Sequence, residues 1–149
     1  MNLELHTVTD AGTPEGPSSA VAARSPELGM VAVADARVNT SMMYRDLAAA
    51  ASQLAIDMIR MHLSKGADTL KAHGKGPSKA TQAKVLELVH TGFNIASREI
   101  HVLSRRRNSA IAVTVDVVLV LGRECVVANV GDSRVYLVRK GLDYLLIQI

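Results

Sequence analysis

Aromatic side chains are nearly missing from this chain, which has no tryptophan, one phenylalanine and three tyrosines in 149 residues. A core must therefore be assembled from Val, Leu, Ile, Ala and Met, and few rings remain to stack on nucleic-acid bases. The single cysteine, Cys125, excludes an internal disulfide and sits in an apolar run, which fits a reducing compartment. No window reaches the ~18 consecutive apolar residues of a membrane span. The opening MNLELHTVTD carries acids and no apolar stretch of the kind a secretory signal needs. No membrane partner is expected, and a cytoplasmic location is. Charge of one sign is also scarce: a net charge of +3 is too small and dispersed to argue for nucleic acid.

What is there is apolar, at 48% of the residues. A chain of ~150 residues buries about 68–70% of its unfolded surface, so one domain over residues 1–149 is expected. Residues 126–141 (VVANVGDSRVYLVRKG) form two β-branched runs joined by Gly131, Asp132 and Ser133. That pattern predicts a hairpin whose tip presents Asp132, Ser133 and Arg134. Around it, strands are predicted at 111–121, 124–130, 135–139 and 144–149, with turns at Gly122-Arg123 and 140–142, making an antiparallel meander. Asp116 falls inside the first of these. Burial of a carboxylate is costly unless it is paired, so it is expected to alternate outward. The apolar ending YLLIQI predicts an edge strand that self-associates or takes a partner strand.

Upstream, residues 3–8 are a short candidate strand, and the Pro-, Gly- and Ser-rich residues 13–26 read as loop. Residues 28–34 (LGMVAVA) predict a buried strand stopping at Asp35, a turn-former or a ligand. Leu47, Ala51, Leu54, Met58 and Met61 recur at helical spacing, with Thr40 or Ser41 as cap and Lys65-Gly66 as stop. Residues 65–77, with His73-Gly74-Lys75-Gly76, lack the P-loop spacing and a preceding strand, and are expected to be a solvated loop. A second helix opens at Ser78 and repeats Leu86, Val89, Phe93, Ala96, Ile100 and Leu103. Its closing arginines, Arg105, Arg106 and Arg107, suit a helix C-terminus by ~0.3–1 kcal/mol each. With the basic residues 71–79 they also make a candidate nucleic-acid patch, but three arginines are too few, and no nucleic-acid partner is expected. The two helices form an antiparallel pair covering one face of a sheet, so the class is α+β.

VANVGDSRVYLVRKG closely resembles the central hairpin of the metal-dependent protein phosphatases of type 2C (the PPM serine/threonine phosphatases). PELGMVAVAD at residues 26–35 resembles the segment leading to that family's first bridging aspartate, and Thr9-Asp10-Ala11-Gly12 resembles its opening Ser-Asp-x-Gly. The order of two long helices, then a strand, then this segment is also the same. The resemblance implies a partial β-sandwich of antiparallel sheets with one helix pair on a sheet face. It further implies hydrolysis of phosphoserine and phosphothreonine by water bridging two Mg²⁺ or Mn²⁺ ions.

On the positions that match, Asp35 would be a bridging metal ligand, the backbone carbonyl of Ala36 a second, and Asp132 the ligand of an additional, weakly held ion. The departures fall on the chemistry. The family's Gly-Gly-His after the aspartate is Val38-Asn39-Thr40, its Met-Gly-Thr-Thr is Ile111-Ala112-Val113-Thr114, and residues 13–20 supply no arginine or acidic pair. Its remaining metal aspartates belong to a C-terminal half expected beyond residue 149. Two cations held close together need several carboxylates to offset their charge. The expectation is a truncated, catalytically impaired phosphatase-like domain with weak or no Mg²⁺ or Mn²⁺ binding, acting on a phosphoprotein or kinase as a binding or regulatory partner. The alternative is an active metal-dependent serine/threonine phosphatase whose site another chain completes.

Overall fold

The computed structural model describes residues 19–39, 45–139 and 142–147, so the expected strand at 3–8, the Thr9–Gly12 motif and the Thr40 or Ser41 cap lie outside the described residues. The class is α+β. Strands β1 (Val21–Ser25), β2 (Met30–Val38), β3 (Ile111–Leu121) and β4 (Glu124–Val130) form one sheet in the order β1-β2-β3-β4. Every neighbouring pair in it is antiparallel. Helices α1 (Arg45–Lys65), α2 (Ala67–Lys75) and α3 (Lys79–Arg106) separate β2 from β3. A second, two-stranded sheet pairs β5 (Val135–Arg139) with β6 (Leu142–Ile147).

Period-two alternation decides the faces. Met30, Ala32, Ala34 and Ala36 of β2 lie on one side with Val115, Val117, Leu119 and Leu121 of β3, all buried against the helices. The row of alanines in β2 meets Ala48, Ala51 and Ala55 of α1, and these small side chains let helix and sheet approach closely. Ile56, Ile59, Leu63 and Val85 fill the remaining space and are almost wholly buried.

The two long helices occur where expected, and the buried stripe of α1 is partly turned from the expected one. In α1 the buried positions are Ala48, Ala51, Ser52, Ala55, Ile56, Ile59 and Leu63, while Met61 is exposed. In α3, Val89 and Ala96 are buried and Phe93, Ile100 and Leu103 pack against the core as expected, and only Leu86 departs, exposed while Val85 is buried. Ser78 does cap α3: its hydroxyl accepts from the Thr81 amide at 3.2 Å, and Thr81 Oγ1 accepts from the Ser78 amide at 3.0 Å, the reciprocal arrangement of a capping box.

Two expected loops are corrected. Residues 13–26 include β1, whose pairing with β2 overrides the loop-like composition. Residues 65–77 contain α2, held down by the buried Leu70 and His73. His73 bridges elements: Nδ1 is 2.8 Å from Thr81 Oγ1 and Nε2 is 3.0 Å from Glu124 Oε2. The strand expected at 28–34 is also moved. Pro26–Leu28 is a 3₁₀ turn, and β2 continues to Val38, so Asp35 lies inside a strand instead of at its end. The strand expected at 144–149 starts earlier, at Leu142, and is described to Ile147, with residues 148–149 outside the described residues.

The largest correction concerns residues 126–141, which are not a hairpin. Among the described residues β4 pairs only with β3, and β5 pairs with β6 in the other sheet. After Val130 the chain crosses the face of β3. At Gly131, where φ is +112°, a Cβ would lie 2.6 Å from Thr114 Cγ2, so only glycine permits the crossing.

Candidate functional site

The face of the four-stranded sheet turned away from the helices carries the polar residues. By alternation it presents Asp35 of β2, Thr114 and Asp116 of β3, and Asn129 of β4; the register pairs Asp35 with Thr114 and Asp116 with Asn129. Asp35 is half-buried, and its Oδ1 accepts from Ser19 Oγ at 2.5 Å. Thr114 Oγ1 lies 3.4 Å from the Asp35 carbonyl and accepts from Ser133 Oγ at 3.0 Å. Asn129 Nδ2 donates to Asp116 Oδ1 at 2.6 Å and to the Ser133 carbonyl at 3.2 Å.

Asp116 does alternate away from the helices, but it is not solvated as expected. It is 8% exposed, and the Asn129 amide offsets its burial. Together these bonds pin the 131–134 crossing onto the sheet. Nothing in the local sequence marks Asn129 or Ser133 as partners of β3. The signal that finds them is the antiparallel register, which puts Asn129 opposite Asp116.

Of the expected metal ligands, Asp35 and residues 132–133 are drawn to one neighbourhood through Thr114. The side chain of Asp132 itself is exposed. The Ala36 side chain is buried on the helix face. Its peptide group alternates toward the β1 side of β2, since the Asp35 carbonyl is the one beside Thr114 on β3.

The fit to a two-ion centre is poor. Asp35 is already engaged by Ser19, Asp116 by Asn129, and among the described residues no group of three or more His, Cys, Asp or Glu is placed to hold a metal ion. One carboxylate and one carbonyl leave most of the charge of two divalent cations uncompensated. Beside Asp116 a cleft of about 450 Å³ opens between the sheet and the start of β5, walled by Val31, Val33, Val118, Arg134 and Tyr136.

Comparison with known proteins places these features. The sequence profile described as Protein phosphatase 2C matches residues 45–147, from the first turn of α1 to the end of β6 and without β2. No curated protein matches the chain. The fold is similar to the crystal structure of the Mycobacterium tuberculosis serine/threonine phosphatase PstP/Ppp, with a TM-score of 0.66 and 19% identity over 94% of this chain and 51% of that one. At such identity the likeness is one of fold, and the chain spans about half the length of that phosphatase chain.

Proposed function

The chain belongs to the protein phosphatase 2C family, and from that premise we propose that this domain is a catalytically impaired member that works by binding, as a regulatory partner of a phosphoprotein or a kinase. The observation that carries the reading is the state of Asp35. Its carboxylate is bound by Ser19, and among the described residues no group of three or more His, Cys, Asp or Glu is placed to hold a metal ion. Lowering the pKa of a bridging water takes two closely held cations, and two cations take several carboxylates. Asp132, the other expected ligand, is exposed on the crossing and carries at most a weak site.

The test is direct. Purified protein incubated with p-nitrophenyl phosphate and Mn²⁺ is expected to show no turnover above buffer, and calorimetry to show Mn²⁺ binding weaker than about 1 mM. Turnover that disappears in Asp35→Asn would overturn the reading. A second reading, an active phosphatase completed by another chain, is favoured by the half-length match to PstP/Ppp. Its signature is turnover absent from this chain alone and restored by a complementing chain, with dependence on Asp35.

A further inference from the structure

The face of the sheet turned away from the helices holds two charges that lack an ion-pair partner among the described residues. One is Asp116, which is 8% exposed and whose Oδ1 accepts from Asn129 Nδ2 at 2.6 Å. Its other oxygen, Oδ2, has no hydrogen-bond partner among the described residues but is not sealed in, so it opens on the cleft beside β3. The other is Arg134, which is exposed and lines the same cleft from the 131–134 crossing. The two are not in direct contact.

One side chain sets their spacing. The Asn129 amide that bonds Asp116 also donates to the Ser133 carbonyl at 3.2 Å, and Ser133 Oγ donates to Thr114 Oγ1 at 3.0 Å. The chain just before Arg134 is thereby fixed to β3 and β4, and a carboxylate and a guanidinium are held on one cleft. Its walls are otherwise mostly apolar: Val31 and Val33 of β2, Val118 of β3 and Tyr136 of β5. The volume, about 450 Å³, falls in the range of roughly 300–1,000 Å³ found for small-ligand sites, which combine apolar walls with a few fixed polar groups. A carboxylate with one amide donor in an apolar setting is short of counter-charge, so a cation brought against it is favoured. A cation alone would also meet Arg134. A ligand carrying both signs satisfies each group with its opposite.

From the two fixed charges of opposite sign and the valine walls between β2 and β3, we propose that this cleft binds a free α-amino acid with a branched apolar side chain. Its ammonium group lies against Asp116 Oδ2. Its carboxylate meets the Arg134 guanidinium in a charge-assisted pair, and its side chain rests on Val31, Val33 and Val118. The site uses neither Asp35 nor Asp132, so it stands whether or not the Asp35 neighbourhood has catalytic activity.

The test is calorimetry on the full chain with leucine and two analogues that each lack one of its charges. These are 4-methylpentanoate, without the ammonium group, and isoamylamine, without the carboxylate. Leucine is expected to bind saturably, and each analogue at least about tenfold more weakly through loss of one charge-assisted contact. Arg134→Gln, an exposed substitution, is expected to bring leucine down to the affinity of isoamylamine, and Asp116→Asn to that of 4-methylpentanoate. Val33→Trp, at another exposed position, fills the cleft and is expected to abolish binding with the circular dichroism spectrum unchanged, which keeps the test decisive even where Asp116→Asn loosens the fold. The proposal is overturned if leucine gives no saturable heat up to about 10 mM, if isoamylamine binds as tightly as leucine, or if Arg134→Gln and Val33→Trp leave leucine binding unaltered. A mass that doubles with protein concentration and returns to the single-chain value in Val33→Trp, with leucine without effect on it, would assign the cleft to a second copy and overturn it too.

Discussion

Asp116 shows how a single side chain can mislead when read along the chain alone. A carboxylate between Val115 and Val117 looks as if it must seek water, yet it is 8% exposed and bonded to Asn129 thirteen residues later. Removing the donor should therefore cost more than removing an ordinary surface amide. Asn129→Ala leaves a buried carboxylate without its partner and frees the Ser133 carbonyl, and is expected to destabilise the domain by about 1–3 kcal/mol. Urea denaturation checks this; a loss within about 0.5 kcal/mol, typical of a plain surface change, would mean that the network carries no weight. Asp35, by contrast, was readable as a candidate from the run PELGMVAVAD, whereas its bond to Ser19 was not, because Ser19 reaches it only once β1 lies beside β2.

Elements divide by how much of their stability is local. β3, β4 and β5 occupy the predicted residues because β-branched runs bounded by Gly122-Arg123 and 131–134 carry their own limits. α3 likewise starts where Ser78 and Thr81 form a capping box. α2 was not readable: ADTLKAHGK is short, basic and bounded by glycines, which reads as loop, and two of its nine positions, Leu70 and His73, supply the anchoring. The helix exists because it docks. Gly74 and Gly122 meet backbone to backbone there, and at φ +66° a Cβ on Gly122 would collide with the Gly74 carbonyl. Gly122→Ala is expected to lower stability by about 1–3 kcal/mol and to speed amide exchange in α2 ahead of α3. Uniform exchange across both helices would contradict this account of its anchoring. α1 fails differently. Of the expected stripe Leu47, Ala51, Leu54, Met58 and Met61, Ala51 is buried and Met58 packs on the core, but Met61 is exposed. The sheet buries Ala48, Ala55, Ile56 and Ile59, because the alanines of β2 let this side of the helix approach closely.

At the scale of the whole molecule, the sheet has one filled face and one largely open one. The helices cover most of the first, and among the described residues the second meets Ser19 and the 131–136 crossing, with the cleft beside Asp116. Matched substitutions should report that asymmetry. Ile56→Ala, on the filled side, is expected to cost about 2–5 kcal/mol, and Val33→Ala, 46% exposed on the other side, under about 1 kcal/mol. Comparable losses in thermal unfolding would mean that the open face is covered in solution. The same asymmetry bears on function, since Asp35 and Thr114 stand on the open face.

Composition, period-two and helical spacing, caps and turn residues sufficed to establish an α+β domain, the limits of three strands, the start of α3 and a resemblance to the type 2C phosphatases, because each rests on interactions a few residues apart. Three things waited on the tertiary structure: that β5 leaves the sheet at Gly131 instead of closing a hairpin, that Asp116 is buried against Asn129, and that Asp116 and Arg134 line one cleft. Each is a question of which distant strand or helix lies alongside. Strand pairing is settled by burial and register over the whole fold, and no local stretch of sequence encodes its own neighbour.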